Sequence, residues 1–339
     1  MPSARPESAE GRSPEPELIS VFVYRNGATE QHAAIDPAWV APDSGLVVWV
    51  DLAAPSPDEF SVLGDVFHFH PLAVEDAVAE VHHPKVEAYD GYLYLVLHGI
   101  HYQKSQEAFA THDTDFFLGP NYLVTVHDGQ TRSIAAIHEI CTRNAHLLAE
   151  GAAALLHRIV DQMVEHYRPE VDELEAWLDE LEREVFERPR PELVREILRV
   201  KRDVTGLRRI AMPQRDMISR LARREFPVIT QELAYRFRDV YDDLVRLTDE
   251  ALIFQDRVSA LLDAHLSNVS NRLNAVMKVL TVITVIFMPL TLVAGLYGMN
   301  MRLPLVGSEA DPRPFWWLMT GMVAAVLTML GLFRYKRWI

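Results

Sequence analysis

The sequence predicts an α+β membrane protein, with an N-terminal α/β domain and a long stalk helix that runs into the first of two C-terminal spans. Three observations carry this reading. Val279–Tyr297 and Phe315–Phe333 are each 19 residues without a formal charge, enough at about 1.5 Å per residue to cross a hydrocarbon core of about 30 Å. The charge is divided: residues 275–339 hold six basic against two acidic side chains, net +4, whereas residues 1–274 hold 27 against 46, net −19. Beyond residue 231, no effective helix breaker occurs before Pro289.

In chain order, residues 1–17 are rich in Pro, Glu and Ser and read as a disordered tail. They lack the apolar stretch of a signal peptide. Residues 18–150 read as a cytoplasmic α/β domain. Strands are expected at Ile19–Tyr24, Leu46–Leu52, Tyr92–Ile100 and Tyr122–His127, runs of Val, Tyr, Phe and Leu bounded by Gly, Asn, Asp or Pro. Helices are expected at Pro57–Phe67 after Ser56 as N-cap, at Pro71–Ala79 and at Arg132–Leu148. Residues 151–230 read as long cytoplasmic helices, Ala152–Phe186 and Pro191–Arg224, parted by Arg188-Pro-Arg-Pro191. Residues 231–296 form the stalk and first span, a helix of roughly 100 Å at ~1.5 Å per residue. An external loop (297–314), a second span (315–333) and a basic tail (334–339) complete the chain. Arg334-Tyr-Lys-Arg-Trp338 abuts the second span, so the positive-inside rule places it in the cytoplasm. Two spans return the chain to the side it left, so both termini are expected inside an inner (cytoplasmic) membrane.

The composition narrows the function. A net charge of −15 argues against nucleic-acid binding, which needs a basic surface. Cys141 is the only cysteine, so neither a disulfide framework nor a cysteine zinc site is available. Among fourteen histidines, His68, His70, His82, His83, His98, His101 and His112 invite a zinc reading, but no spacing supplies three or four convergent ligands. No nucleophile elbow, phosphate loop or HExxH stretch is present, so neither an enzyme nor an organic cofactor is expected. The arginines Arg190, Arg195, Arg199, Arg202, Arg208 and Arg209 are interleaved with acids and read as a solvated or inter-helical face.

The stalk carries two adjacent seams. Leu262, Leu266, Val269, Leu273, Val276, Leu280, Ile283 and Phe287 follow the 4-3-4-3 spacing of helix association. Beside them run Asp263, Ser267, Ser270, Asn274, Met277, Thr281, Thr284, Met288, Thr291 and Gly295. Within a span, small and hydroxyl side chains on one face suit tight helix packing or a water-filled path better than lipid. One chain with two spans cannot enclose a path, so a lumen requires a closed homo-oligomer.

The first span ends in Tyr297-Gly298-Met299-Asn300, preceded by Met288-Pro-Leu-Thr-Leu-Val-Ala-Gly-Leu-Tyr297. With His70-Pro-Leu-Ala-Val-Glu-Asp76, Pro84-Lys-Val-Glu87, Phe237-Arg-Asp-Val-Tyr-Asp242 and Ser270-Asn-Arg-Leu-Asn-Ala-Val-Met-Lys-Val-Leu280, this resembles the CorA family of magnesium channels and transporters across residues 18–339. The resemblance implies a funnel-shaped homopentamer in which the first-span helices line the pore and the second spans form an outer ring. It places pore-lining positions at Asn274, Met277, Leu280, Thr284, Met288, Thr291 and Gly295, nearly the polar seam, with Leu280 standing where Thr281 continues that seam. It makes Gly298, Met299 and Asn300 the ion entrance. It also implies an intersubunit regulatory divalent site at Asp76 and Asp239, with Glu75 and Asp242 as neighbouring candidates. Mg2+ would then be both cargo and regulator, with Co2+ and Ni2+ as further cargoes.

Two alternatives share this outline: a proton-coupled zinc transporter of the ZntB type and a non-conducting membrane sensor. Gly298-Met-Asn300 does not separate the first. The loop bears Arg302 beside the entrance instead of the acidic residues expected of close magnesium relatives. The polar seam argues against a sensor, which has no use for one.

Overall fold

A computed structural model describes residues 19–79, 83–103, 108–144, 146–188, 190–298, 313–336 and 338. The tail expected at 1–17, and Met299, Asn300 and most of the loop expected at 297–314, lie outside them. The described chain divides into two compact units. The first comprises residues up to Glu184 together with Glu192–Leu261, and the second Val185–Pro191 with Leu262–Ile339.

The first unit is built on a seven-stranded sheet of order β2-β1-β3-β7-β6-β5-β4. Its strands are β1 (Ile19–Arg25), β2 (Ala28–His32), β3 (Val47–Ala53), β4 (Lys85–Tyr89), β5 (Tyr92–Gln103), β6 (Ala108–Leu118) and β7 (Tyr122–His127). Only the central β3–β7 pair is parallel, with Val48 opposite Tyr122 and Asp51 opposite Thr125. Strand alternation divides the side chains between two faces. Val48, Val50 and Leu52 join Phe69, Phe117 and Val124 in a core covered by α1 (Ser61–Asp65) and α2 (Pro71–Val78). Phe69 stacks on Phe117 with ring centroids 4.3 Å apart and meets Tyr92 at 4.6 Å. On the opposite face, α4 (Ala152–Glu165) packs on β3, β6 and β7, and α3 (Arg132–Arg143) packs on α4.

The expected helices are shortened where local chemistry intervenes. Residues 57–60 form turns that lead into α1, with Glu59 and Phe60 both donating to the Ser56 carbonyl and the Glu59 carboxylate taking the Ser56 N–H, a capping arrangement at the start of the segment. The stretch expected as Ala152–Phe186 is two helices, α4 and α5 (Tyr167–Glu187), parted at His166. Pro169 explains the position: lacking an N–H, it cannot continue the ladder back to Glu165. In contrast, Pro213 lies inside α6 (Leu193–Ala222), and Pro289 inside α7 (Gln231–Tyr297).

Within the first unit α7 buries Phe237, Val240, Leu244, Leu247, Ala251, Phe254, Val258 and Leu261, the alternating three- and four-residue spacing of one helix face. In the second unit that protection ends. Leu266, Val269, Leu273, Val276, Leu280, Ile283 and Phe287 are all exposed. α8 (Arg313–Tyr335) buries none of its apolar window, and the apolar window of α7 is 11% buried. Apolar surface this continuous is not left to water. These two helices are long and apolar enough to cross a membrane. Phe315, Trp316 and Trp317 at one end of α8, with Tyr335 and Trp338 near the other, are exposed as aromatics at both membrane interfaces would be.

Candidate functional site

The expected pore positions lie on a part of α7 that is exposed among the described residues. Asn274, Met277, Leu280, Thr284, Met288, Thr291 and Gly295 are all exposed, Met288 at 71%. The threonine hydroxyls share a geometry: Thr281, Thr284 and Thr291 donate to the carbonyls of Met277, Leu280 and Phe287 at 2.7, 2.8 and 2.8 Å. With its proton committed to the helix, each hydroxyl oxygen turns lone pairs outward and acts as an acceptor. At the helix end the Gly298 N–H donates to the Ala294 carbonyl at 2.9 Å. A Cβ at position 298 would stand 3.2 Å from that oxygen, so glycine suits the close approach.

The expected regulatory acids come from two elements, α2 and α7. Asp76 sits on α2, whose first turn is capped by the His70 ring accepting from the Leu72 N–H at 3.3 Å, with Pro71 next. Asp76 is half-buried and ion-paired with Lys85, which also lies 3.5 Å from Glu87 and over the Tyr94 ring. Glu75 is exposed, as are Asp239 and Asp242 on α7. Among the described residues no group of three or more His, Cys, Asp or Glu converges on a metal position. Lys85 does not stand out in the sequence, although it lies in the Pro84-Lys-Val-Glu87 segment. Alternation along β4 puts Lys85 and Glu87 on one face, a signal that needed β4 to be recognised as a strand.

Several of the described histidines have partners of their own. His98 pairs with Asp113, His112 with Asp128 at 2.6 Å, and His68 with the Gly64 carbonyl at 3.0 Å. Two more hold Asp51: His138 Nε2 is 2.8 Å from Oδ2, and His127 Nε2 lies 3.2 Å from Oδ1. His127 Nδ1 accepts the Gly129 N–H at 3.0 Å, which leaves Nε2 as the donor to Asp51. Thr125 donates to Asp51 and accepts from the Trp49 indole at 3.1 Å. Burial alone would raise the Asp51 carboxyl, but the His127 and His138 hydrogen bonds outweigh it and hold the group well below the usual carboxylate range. Asp115 goes the other way: burial pushes it up to about 7, even though the Tyr94 hydroxyl donates to it.

The described chain therefore combines an α/β unit with two membrane-length apolar helices, the first carrying an uncovered stripe of acceptors. That combination defines a class, a two-span membrane protein with a large extramembrane unit. Residues 44–337 match the family described as CorA-like Mg2+ transporter protein, and the chain belongs to that family of transporters. It is 34% identical to YfjQ of Bacillus subtilis, over 86% of this chain and 89% of YfjQ. It is 32% identical to the cobalt/magnesium transport protein CorA of Thermotoga maritima, over 95% of this chain and 92% of that one. The complete structure of the CorA magnesium transporter from Methanocaldococcus jannaschii superposes with a TM-score of 0.82 at 23% identity, covering 95% of this chain and 99% of that chain. The cytoplasmic domain of ZntB from Vibrio parahaemolyticus matches at TM-score 0.62 and 16% identity, over 74% and 98%. That likeness is one of fold.

Proposed function

We propose that the chain is one subunit of a homopentameric, funnel-shaped Mg2+ channel of the cytoplasmic membrane that mediates uptake, with both termini inside and Co2+ and Ni2+ as further cargoes. The observation that carries this is the uncovered α7 stripe, in which threonine acceptors interrupt an otherwise apolar span. Facing lipid, those oxygens would be desolvated. Facing a shared lumen, they accept hydrogen bonds from the water around a cation. Mg2+ suits such a path because it gives up water reluctantly. Met288 and Leu280 would form apolar constrictions between the polar levels at Asn274, Thr284, Thr291 and the Gly295 carbonyl. The entrance, Gly298, Met299 and Asn300, would offer neutral groups that hold the hydration shell without trapping the ion. The net charge of −19 on residues 1–274 would concentrate cations at the inner mouth.

The regulatory reading joins Asp76 of one subunit to Asp239 of its neighbour, with Glu75 and Asp242 nearby. Carboxylates brought together across an interface repel unless a cation bridges them, so internal Mg2+ would favour the closed assembly. Lys85 adds a condition: its ammonium occupies Asp76 within the chain, and Mg2+ must displace it. Asp239→Ala is expected to leave flux running at internal Mg2+ levels that silence the wild type, measured in loaded vesicles. Unchanged inhibition would remove Asp239 from this role.

The transport reading is tested in liposomes holding the purified protein, with Mg2+, Co2+ and Zn2+ flux followed with and without a proton gradient. Mg2+ flux that needs no gradient is the expected result. Zinc flux that requires one would favour the proton-coupled alternative, and no flux of any ion the sensor.

A further inference from the structure

Asp76 differs from the other acids of the proposed regulatory site in bringing a cation of its own. Lys85 Nζ is ion-paired with Asp76, lies 3.5 Å from Glu87 Oε1 and stands 5.0 Å from the centroid of the Tyr94 ring. Glu75, Asp239 and Asp242 have no such cation among the described residues. The sheet explains why the ammonium is held there. Alternation sets Lys85 and Glu87 on one face of β4, and the β4–β5 register puts Tyr94 opposite Glu87. Tyr94 is fully buried and its hydroxyl donates to Asp115, so the ring that faces the ammonium is fixed. A lysine carries three donors on a flexible stem. The ammonium therefore has two acid seats, Asp76 and Glu87, beside one aromatic face. Leaving Asp76 does not strand the charge.

We propose that Lys85 is a tethered competitor for Mg2+ at Asp76, and that it sets the internal Mg2+ level at which the regulatory site fills by stepping from Asp76 to Glu87 when the ion binds. This rests on the assignment of Asp76 and Asp239 to that site. Mg2+ takes a carboxylate either as a ligand or as an acceptor for its coordinated water, and the ammonium occupies the same carboxylate. Binding thus exchanges one cation for another. The apparent affinity is the intrinsic one reduced to the fraction of chains in which Asp76 is free. A competitor attached to the chain has an effective concentration set by its own stem and backbone. The threshold is therefore built into the α2–β4 pairing and does not follow the supply of other cations. Glu87 keeps the exchange reversible, because the displaced ammonium stays beside the site and returns when Mg2+ leaves.

The test is hydrogen exchange of the α2 amides in the full-length protein in detergent, read against Mg2+ concentration, so it does not depend on flux. Lys85→Gln and Lys85→Met are each expected to reach half-maximal protection at about fivefold lower Mg2+ than the wild type. A lysine that only packed β4 against α2 would give the opposite sign, since its loss would loosen α2 and weaken binding. Lys85→Arg keeps the charge and should stay within about twofold of the wild type. Arg238→Gln is the control for charge alone: Arg238 is exposed beside Asp239, lies over the Tyr235 ring and pairs with no carboxylate among the described residues. It should shift the half-point by less than about twofold. Should Lys85→Gln not fold, Lys85→Met, which keeps the apolar stem, decides the question. A half-point unchanged or raised in a folded Lys85→Gln or Lys85→Met protein overturns the proposal, as does an equal drop in Arg238→Gln. Asp239→Ala separates the readings. If it weakens Mg2+ protection while the Lys85 variants match the wild type, the site stands and the competitor falls. If it changes nothing while the Lys85 variants shift, competition at Asp76 stands and the intersubunit site falls. Wild-type α2 amides indifferent to Mg2+ would remove both.

Discussion

Asp51→Asn is expected to destabilise the α/β unit by about 3–5 kcal/mol, the range for removing one partner from a buried, hydrogen-bonded charge cluster. The carboxylate accepts from Thr125 and from both imidazoles, and its side chain is 4% exposed. A carboxamide keeps one acceptor oxygen and points an N–H₂ group at donors. His127 cannot answer by changing tautomer without giving up the Gly129 N–H that its Nδ1 accepts. Cross-strand geometry spreads the damage, because Asp51 and Thr125 face each other in the central parallel pair, and His138 comes from α3. Hydrogen exchange on the full-length protein reads this locally. Amides of β3 and β7 should exchange at least about a hundredfold faster in the variant, the equivalent of roughly 3 kcal/mol. A change under about fivefold would show that the cluster is not a keystone of the sheet.

The pH dependence follows with a definite sign. Asp51 is held below the carboxylate range in the folded state, whereas an unfolded aspartate titrates near ~3.9. Its contribution is therefore fully present above about pH 4 and fades as pH falls further towards the folded value. The gap between wild type and Asp51→Asn should be constant from pH 5 to neutrality and narrow below about pH 4. A gap that widened on acidification would contradict the assignment of Asp51 as the ionised member.

What the sequence disclosed and what it withheld divide along physical lines. The two apolar helices and the strands β1, β3, β5 and β7 were legible because each is written in contiguous residues: uncharged length for the former, β-branched and aromatic runs for the latter. β6 was not. It reads Ala-Phe-Ala-Thr-His-Asp-Thr-Asp-Phe-Phe-Leu118, and its Asp113 and Asp115 resemble a loop until His98 and the Tyr94 hydroxyl appear across the ladder as their partners. The histidines are a similar case. Their number suggested metal, but their roles depend on carboxylates 15 to 87 residues away, His98 with Asp113 and His138 with Asp51. Pairings at such separations leave no periodic trace. The α7 seam shows the converse. Its spacing was visible in sequence, while the donation of the threonine hydroxyls to carbonyls of their own helix needed coordinates.

Asn300→Ala is expected to lower Mg2+ flux in liposomes by about a hundredfold or more, since in the proposed pentamer a ring of carboxamides each contributing roughly 0.5–1.5 kcal/mol to the hydrated ion would sum to several kcal/mol. The proposed entrance has no other side chain able to replace them. Gly298 has none, and Met299 offers a thioether, a weak acceptor for water protons. Asn300→Asp separates holding from conducting. A carboxylate ring attracts the ion more strongly, through charge, so occupancy should rise. Release should slow, because conduction needs binding loose enough to be reversed. Mg2+ should therefore saturate the aspartate variant at lower concentration with a smaller maximal flux, whereas the alanine variant should lose flux without gaining affinity. Arg302, two residues on, sets a further comparison: Arg302→Gln should raise flux at low external Mg2+ and low ionic strength, where its charge repels the approaching ion, and the gain should vanish in salt. If Asn300→Ala conducts as the wild type does, the entrance lies elsewhere. The α7 stripe would then have to select for Mg2+ by itself, through the threonine acceptors at the levels of Thr284 and Thr291.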